Sequence, residues 1–375
     1  MDSKNSYDLI VIGGGLAGLA CALRLSKVGC RVLLLEKNPY PHHKVCGEYV
    51  SNEILPYLNS LGIDPFERGA VSIDRFEVSS IEGKTIRSKL PLGGFGISRY
   101  ALDNLLYEKL SERAKVHFET VEDLNFLQNE FTVSTVEKNK YRSKFVVGAF
   151  GKRSLLDVTL KRKFIRQKSP WLGVKAHYEY EFPGDLVALH NFRGGYCGLS
   201  QVETGLINAC YLATYSSFRK AGSPKAFKEK VLIQNPHLRQ FFSKAVSVFP
   251  KPLTIAQISF ERKQAVEGHI YMIGDSAGLI HPLCGNGMAM AIHAAKLFCD
   301  LFLESVDKPN FRRVDLERNY RLKWEATFSR RIQTGRMIQR LFLNPATANM
   351  GMKIARIFPS VIPKIISKTH GDVVI

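Results

Sequence analysis

An apolar strand running into a glycine turn at residues 8–18, the same grammar far downstream at 270–275, and a change of hydrophobic period between them predict an α/β fold. The expected architecture is a Rossmann-like dinucleotide-binding domain assembled from discontinuous segments, with an inserted mixed or antiparallel β-sheet and helices towards the C-terminus. Two ligand-facing turns so far apart suggest one long cofactor held at both ends.

The first turn is readable position by position. Residues 9–12 are an apolar strand, Gly13, Gly15 and Gly18 stand at G-x-G-x-x-G spacing, and residues 17–28 continue as an apolar helix. The first glycine permits a tight turn, the second lets backbone approach a pyrophosphate, and the third lets helix and strand pack closely. A pyrophosphate then sits on the helix N-terminus by Leu16 and Ala17, where free N–H groups and the positive end of the dipole meet negative charge. A second strand, residues 31–35, ends in Glu36 and Lys37, close to the roughly 20-residue offset at which an acid grips a ribose hydroxyl. An acid there disfavours a 2′-phosphate, so FAD or NAD is expected rather than NADP.

Composition bounds the rest. With 375 residues, 45% of them hydrophobic, the chain can bury a large core, and its length suggests two or three domains. Lys+Arg 53 against Asp+Glu 34 gives +19, a balance that favours phosphates or acidic lipid surfaces and says nothing about fold. No RNA or DNA motif accompanies the charge, so a nucleic-acid partner is disfavoured. The seven cysteines (21, 30, 46, 197, 210, 284 and 299) contain no C-x-x-C pair, so no metal site and no dithiol centre is expected. The opening residues are polar and acidic where a leader is basic and then apolar, and no apolar run reaches the roughly 18 residues of a membrane span. The expectation is a cytoplasmic monomer.

Strand and helix alternate to about residue 60, and residues 71–89 then change to short alternating segments such as Arg75-Phe76-Glu77-Val78. Residues 93–99 return to glycine turns and lead into helical spacing at Leu102, Leu105, Leu106 and Leu110. Residues 116–118, 131–136 and 145–147 read as strands, the last ending in a third glycine turn, Gly148-Ala149-Phe150-Gly151. From 172 to 254 the signals are strand-like again, with turn points at Gly194-Gly195 and Gly205 and a helix over 224–232. After Gly287 the chain reads as helix. Residues 1–70, 93–160 and 258–303 therefore make the expected cofactor domain, 71–92 and 161–257 the inserted substrate sheet, and 304–375 a C-terminal helical region.

The order of these motifs carries a resemblance. The first glycine turn, then Lys44-x-Cys46-Gly47-Glu48, Arg99, Gly148-Ala149-Phe150-Gly151-Lys152-Arg153-Ser154 and Gly274-Asp275-Ser276-Ala277-Gly278 together resemble the geranylgeranyl reductase family, within the para-hydroxybenzoate hydroxylase-like FAD-dependent oxidoreductases and monooxygenases. The likeness spans about residues 7–297. It implies FAD, with Asp275 on the ribityl hydroxyls, Arg99 bracing the phosphates, and Gly285, Asn286, Gly287 and Met288 against the flavin ring. Lys44, Cys46, Gly47, Gly151 and Gly274 fall at motif positions beside the cofactor. The residues after His281 support this independently, because a proline and two glycines precede a helix of small apolar residues whose bare N–H groups would stabilise negative charge on a reduced flavin. NAD(P)H is the expected transient electron donor, since no second G-x-G-x-x-G is present, unless another protein reduces the flavin.

Two departures limit the likeness. The third turn reads Gly-Ala-Asp-Gly in the family and carries Phe150 here, so the hydrogen bond of that acid is lost. Of the family's aromatic motif ahead of the substrate pocket only Tyr196 survives. Cys46 has two readings: a thiol beside the flavin that donates a proton after hydride transfer, or a small buried hydrophobe. Lys44 is a surface lysine or an FAD contact, Glu48 a helix N-terminal acid or a pocket residue, and His281 a proton relay or a structural histidine.

Residues 311–375 carry thirteen Lys or Arg against four Asp or Glu, and residues 350–359 mix bulky apolar groups with cations. This is an amphipathic helix packed on the core, or an interfacial segment that rests on anionic lipid. The leading function is an FAD oxidoreductase acting on a bulky hydrophobic or aromatic substrate. It either reduces an isolated C=C bond, with Cys46 and Tyr196 as candidate catalytic residues, or hydroxylates a phenol-like ring through a flavin C4a-hydroperoxide. A flavin halogenase is disfavoured because Trp171 and Trp324, the only tryptophans, cannot make the paired motif of the tryptophan-halogenase branch. A non-catalytic flavin- or nucleic-acid-binding protein is the remaining class.

Overall fold

Leu9, Ile10 and Val11 are each fully buried, so the first strand, Ser6–Ile12, is covered on both faces, as the central strand of a helix-flanked parallel sheet must be. The computed structural model describes residues 6–375. In it Ser6–Ile12 pairs in parallel with Val32–Leu35, Ile10 opposite Leu33, and with Lys140–Gly148, Ile10 opposite Val146. Ile270–Met272 joins the far side of Lys140–Gly148, and Lys115–His117 the far side of Val32–Leu35, both in parallel. The hairpin Val121–Leu127 and Glu130–Thr135 and the short strand Val266–Glu267 complete this first sheet antiparallel. Helices Leu16–Lys27, Arg99–Ser111 and Gly287–Val306 pack together against it. Residues 13, 36, 149 and 274 therefore all leave the carboxyl edge of the sheet, at the switch point where a doubly wound fold binds ligand.

The second sheet has nine strands in the order Val246–Ser247, Trp171–Glu179, Ile207–Thr214, Gly195–Gln201, Leu186–Phe192, Val71–Ser79, Thr85–Gly96 and Tyr49–Ser51, with Leu253–Ala256 also on Trp171–Glu179. All pairs are antiparallel except Leu186–Phe192 with Val71–Ser79, so the sheet is mixed. Its side chains alternate as a two-sided sheet requires. Cys197, Ala209 and Ala213 pack with Phe227, Leu238 and Phe241 of the short helices behind the sheet, while Tyr196, Gly198, Cys210 and Leu212 face a cavity.

The C-terminal third is helical. Arg313–Leu343 buries Leu316, Tyr320, Trp324, Phe328 and Ile332, an uninterrupted i, i+4 stripe, and the Tyr320 hydroxyl donates to the Met272 carbonyl at 2.7 Å. Pro345–Ile357 and Val361–Thr369 then roof the second sheet, with Met352 and Ala355 on Val78 and Ile86. Pro359 ends the first of these helices, and Pro363 is tolerated in the first turn of the other. The tail is tied down at Glu53, whose buried carboxylate accepts from Arg331 Nη1 at 3.1 Å, Asn286 Nδ2 at 3.3 Å and the Gly371 N–H. No helix of the described residues is long and apolar enough to cross a membrane. The polar opening, residues 1–5, on which the expectation about a leader rests, lies outside the described residues.

Candidate cofactor and active site

The turns at the edge of the first sheet open into a cavity of ≈ 780 Å³ that continues between the second sheet and the C-terminal helices. Gly13, Gly15, Leu16, Ala17, Glu36, Lys37, Lys44, Cys46, Gly47, Arg99, Gly151, Gly274, Asp275, Gly285, Gly287 and Met288 all line it, as does Tyr196. Gly18 and Asn286 do not.

The three glycines of the first turn divide their work. Gly13 has φ +103°, and a Cβ there would lie 2.4 Å from the Ala149 carbonyl oxygen. A Cβ on Gly18 would lie 1.9 Å from the Gly13 oxygen, so Gly18 serves helix–strand packing and not the cavity wall. At Gly15 a Cβ meets only Arg99 Nη2, at 3.7 Å, and at Gly151 it meets nothing within 4 Å. Bare backbone at these two positions therefore faces open space, the condition for close approach of a pyrophosphate.

Two helices that begin at glycine turns of the same cavity lack a side-chain cap, as does Val361–Thr369 in its roof. Leu16–Lys27 starts at Gly15, which has no side chain to offer. Gly287–Val306 starts at Asn286, whose amide is turned away to the Thr369 carbonyl at 2.9 Å and to Glu53. Six other helices are capped by Ser98, Ser154, Thr214, Ser223, Asn235 and Asn344. Uncapped N–H groups at both ends of one cavity suit an anionic diphosphate at one end and an electron-rich ring at the other. Between them Asp275 presents a carboxylate that has no hydrogen-bond partner among the described residues, while its carbonyl is held by Lys263 Nζ at 2.7 Å. Burial lowers that lysine to about 8. The residues present thus fit FAD: Gly15 and Arg99 would meet the diphosphate, Glu36 the adenosine ribose, Asp275 the ribityl chain, and Gly285, Gly287 and Met288 the ring.

Glu36 is fixed for its part by the Gly14 N–H at 2.6 Å and the Asn38 N–H at 3.1 Å. Arg99 and Lys44 are held together by Asp103, which takes a bidentate pair from Arg99 at 2.6 and 2.7 Å and Lys44 Nζ at 2.8 Å. Burial alone would raise the Asp103 carboxyl, but the two cations outweigh it and hold it below the usual carboxylate range. Lys44 also donates to the Gly14 carbonyl at 3.3 Å, so it is a partly buried member of the site.

Glu48 satisfies both of its sequence readings. It is fully buried at φ +56°, and Oε1 accepts the N–H of Arg99, the first residue of a helix, at 2.7 Å. Lys175 Nζ donates to the same oxygen, and Oε2 pairs with His177 Nε2 at 2.7 Å. Burial pushes this carboxyl up, and the His177 hydrogen bond and the Lys175 charge bring it below its ordinary value. Asn208 donates to the Gly47 carbonyl at 2.8 Å and Ser200 to the same oxygen at 3.3 Å. The turn that carries Cys46 is therefore bolted to the second sheet.

Asp103, Lys175 and His177 were not among the residues expected from sequence. A signal existed for two of them: Lys175 and His177 lie two apart, on one face of the apolar strand Trp171–Glu179, where only a buried acid could accommodate them. Ser276 was also missed. Its hydroxyl accepts from the Gly151 N–H at 2.8 Å, tying the third turn to the Asp275 turn across the gap left by Phe150, whose ring lines the cavity. His281 is structural: Nδ1 accepts from the Leu283 N–H at 3.3 Å, and burial lowers it to about 3, leaving a neutral ring.

Beyond the turns the cavity becomes apolar. Val78, Leu90, Val187, Leu189 and Leu212 form its floor, and Ile338, Phe342, Met352, Ala355 and Ile362 its roof. The Tyr196 hydroxyl has no partner among the described residues, and burial raises it well above its ordinary value, so it keeps its proton. Cys210 and Cys284 are pushed up to about 12 and stay thiols.

Comparison with known proteins agrees with this geometry. A family profile described as "FAD binding domain" matches residues 6–304. Conditioned medium factor receptor 1 of Dictyostelium discoideum is 24% identical over 91% of this chain and 72% of its own length. A digeranylgeranylglycerophospholipid reductase of Methanosarcina mazei is 25% identical over 91% of this chain and 86% of its own. The same range of identity takes in a monooxygenase and a halogenase. Among solved structures, the flavin-dependent brominase Bmp2 superposes with a TM-score of 0.79 at 17% identity, covering 96% of this chain and 93% of that one, which shows the shared fold. The chain belongs to the FAD-binding-domain family, and with it to the para-hydroxybenzoate hydroxylase-like flavoprotein oxidoreductases and monooxygenases.

Proposed function

We propose that the protein is an FAD-dependent reductase of carbon–carbon double bonds in a bulky, lipid-like substrate. The observation that carries this reading is the composition of the chamber beyond the flavin end. It is apolar on floor and roof, and Tyr196, Cys210 and Cys284, which also line the cavity, are held protonated by burial. A chamber that hydroxylates a phenol gains from a base that takes the phenolic proton, and none of these floor and roof side chains is one; His42, His43 and His370 line the cavity outside them.

FAD held at Gly15, Arg99, Glu36 and Asp275 would, once reduced by NAD(P)H or a partner reductase, supply the hydride for one carbon of the double bond. The other carbon needs a proton, and Cys46 Sγ and Tyr196 Oη are the candidate donors among the side chains that line the cavity. The apolar walls orient the chain and exclude water, and the bolted 46–48 turn keeps the thiol in place. Saturation thus takes one hydride and one proton. The similarity to the archaeal reductase points the same way.

The test is to reduce the bound flavin without oxygen and add polyprenyl lipids. Reoxidation with a saturated product is expected. An absolute need for oxygen with a hydroxylated product makes the enzyme a monooxygenase and overturns the reading.

A further inference from the structure

The roof of the chamber has an outer face with its own chemistry. In the helix Pro345–Ile357, Met352 and Ala355 are buried and line the cavity. Met350, Ile354, Ile357 and Phe358 lie at i, i+4, i+7 and i+8 on another face, and all four are exposed, Ile357 by 69% and Phe358 by 59%. The inner face already accounts for the helix's packing, and of this second apolar stripe only Ile354 also lines the cavity. Exposed Lys353 and Arg356 lie between its members, with Lys364 and Lys368 on the following helix. From Ala326 to Gly371 the sequence has no Asp or Glu and eight Lys or Arg. Leu341, Ile354 and Ile365 line the cavity and are also exposed, so the chamber wall reaches the surface within this patch.

The geometry points to the C-terminal helices as a docking surface for an anionic phospholipid bilayer, with the mouth of the apolar chamber set in that surface. Bulky apolar groups ringed by cations, with no acid in the segment, complement acyl chains beneath negative headgroups. No helix of the described residues is fit to cross the bilayer, so the protein lies on it. The apolar side chains at the mouth, Leu341, Ile354 and Ile365, give a lipid-like molecule a dry path from the acyl layer to the chamber. That passage rests on the function proposed above, whereas the docking does not.

Vesicle flotation of the full chain tests it. The wild-type protein is expected to float with phosphatidylcholine vesicles containing phosphatidylglycerol and not with phosphatidylcholine alone. Ile357→Asp with Phe358→Asp abolishes flotation, and Lys353→Gln with Arg356→Gln weakens it about 25-fold, at about fivefold per cation. Because all four side chains are exposed, thermal melts match wild type; if the aspartate pair melts lower, the glutamine pair decides. Wild type that ignores anionic vesicles, variants that float as wild type does, or retention on a soluble polyanion without flotation each overturn the docking. Flavin content is read on the same samples: a yellow protein that never floats removes the docking alone, and a floating protein that never takes up FAD removes the function alone.

Discussion

The two ends of the cavity are built by opposite means. At the cofactor end, backbone does most of the work: bare glycines at 15 and 151, two uncapped helix N-termini, and a few carboxylates and cations fixed by ion pairs. In the chamber, side chains from one sheet and three helices supply an apolar floor and roof. The first recognises charge and polar geometry, and the second only bulk and dryness. On the proposed function, a cofactor common to many proteins is held by backbone, and the substrate by a surface assembled from distant segments.

The largest break in this contrast should come at Gly18, which looks like a cofactor glycine and is a packing one. Gly18→Val drives a side chain into the Gly13 carbonyl and is expected to cost at least about 3 kcal/mol of stability, seen as a lowered melting midpoint of the apoprotein. Gly15→Val should leave that midpoint near wild type and abolish FAD uptake, since its Cβ points into open cavity.

Next in size are the buried charges. Glu48→Gln strands Lys175 and is expected to cost about 3–5 kcal/mol, and Asp103→Asn does the same to Arg99 and Lys44. The pH dependence has a definite sign. Glu48 and Asp103 sit below their ordinary 4.5 and 3.8 when folded, so their stabilisation is complete above those values and lost as pH falls through the folded ones. His190 and His281, lowered from 6.5 to about 3, protonate first in the unfolded chain and add to the loss between those limits. Urea midpoints should therefore fall steadily from pH 6.5 towards 3, and His281→Phe should shallow the slope.

Smaller effects sharpen the boundary between the two ends. Asp275→Ala is expected to weaken FAD binding by about 1–2 kcal/mol, roughly tenfold, without changing the chamber. Cys46→Ala should leave FAD affinity alone and lower the rate of substrate-driven flavin reoxidation about a hundredfold; an unchanged rate makes Cys46 a packing residue.

How much of this was legible follows the same division. The first turn was plain because strand, three glycines, helix and Glu36 are neighbours in sequence, and the jobs of Gly13, Gly15 and Gly18 are local backbone geometry. Asp275 and the glycines after Pro282 came through the family likeness. The partners of Glu48 did not, because Lys175 and His177 are brought to it by a strand of the other sheet. Nor did the turning of Asn286 towards Glu53, which depends on the tail at Thr369 and Gly371. The C-terminal segment read as either a core helix or an interfacial one, and its helices pack inward on Val78 and Ile86 while leaving an apolar outer face, a duality that one-dimensional periodicity does not separate.

The central claim, that one cavity holds FAD between two uncapped helix ends, is tested most directly by titrating FAD into the purified apoprotein and into Gly15→Val. The account predicts saturable, noncovalent uptake by the wild-type chain and none by the variant, with matching melts before FAD is added. A wild-type protein that stays colourless through the titration, or a variant that binds FAD equally well, would contradict it.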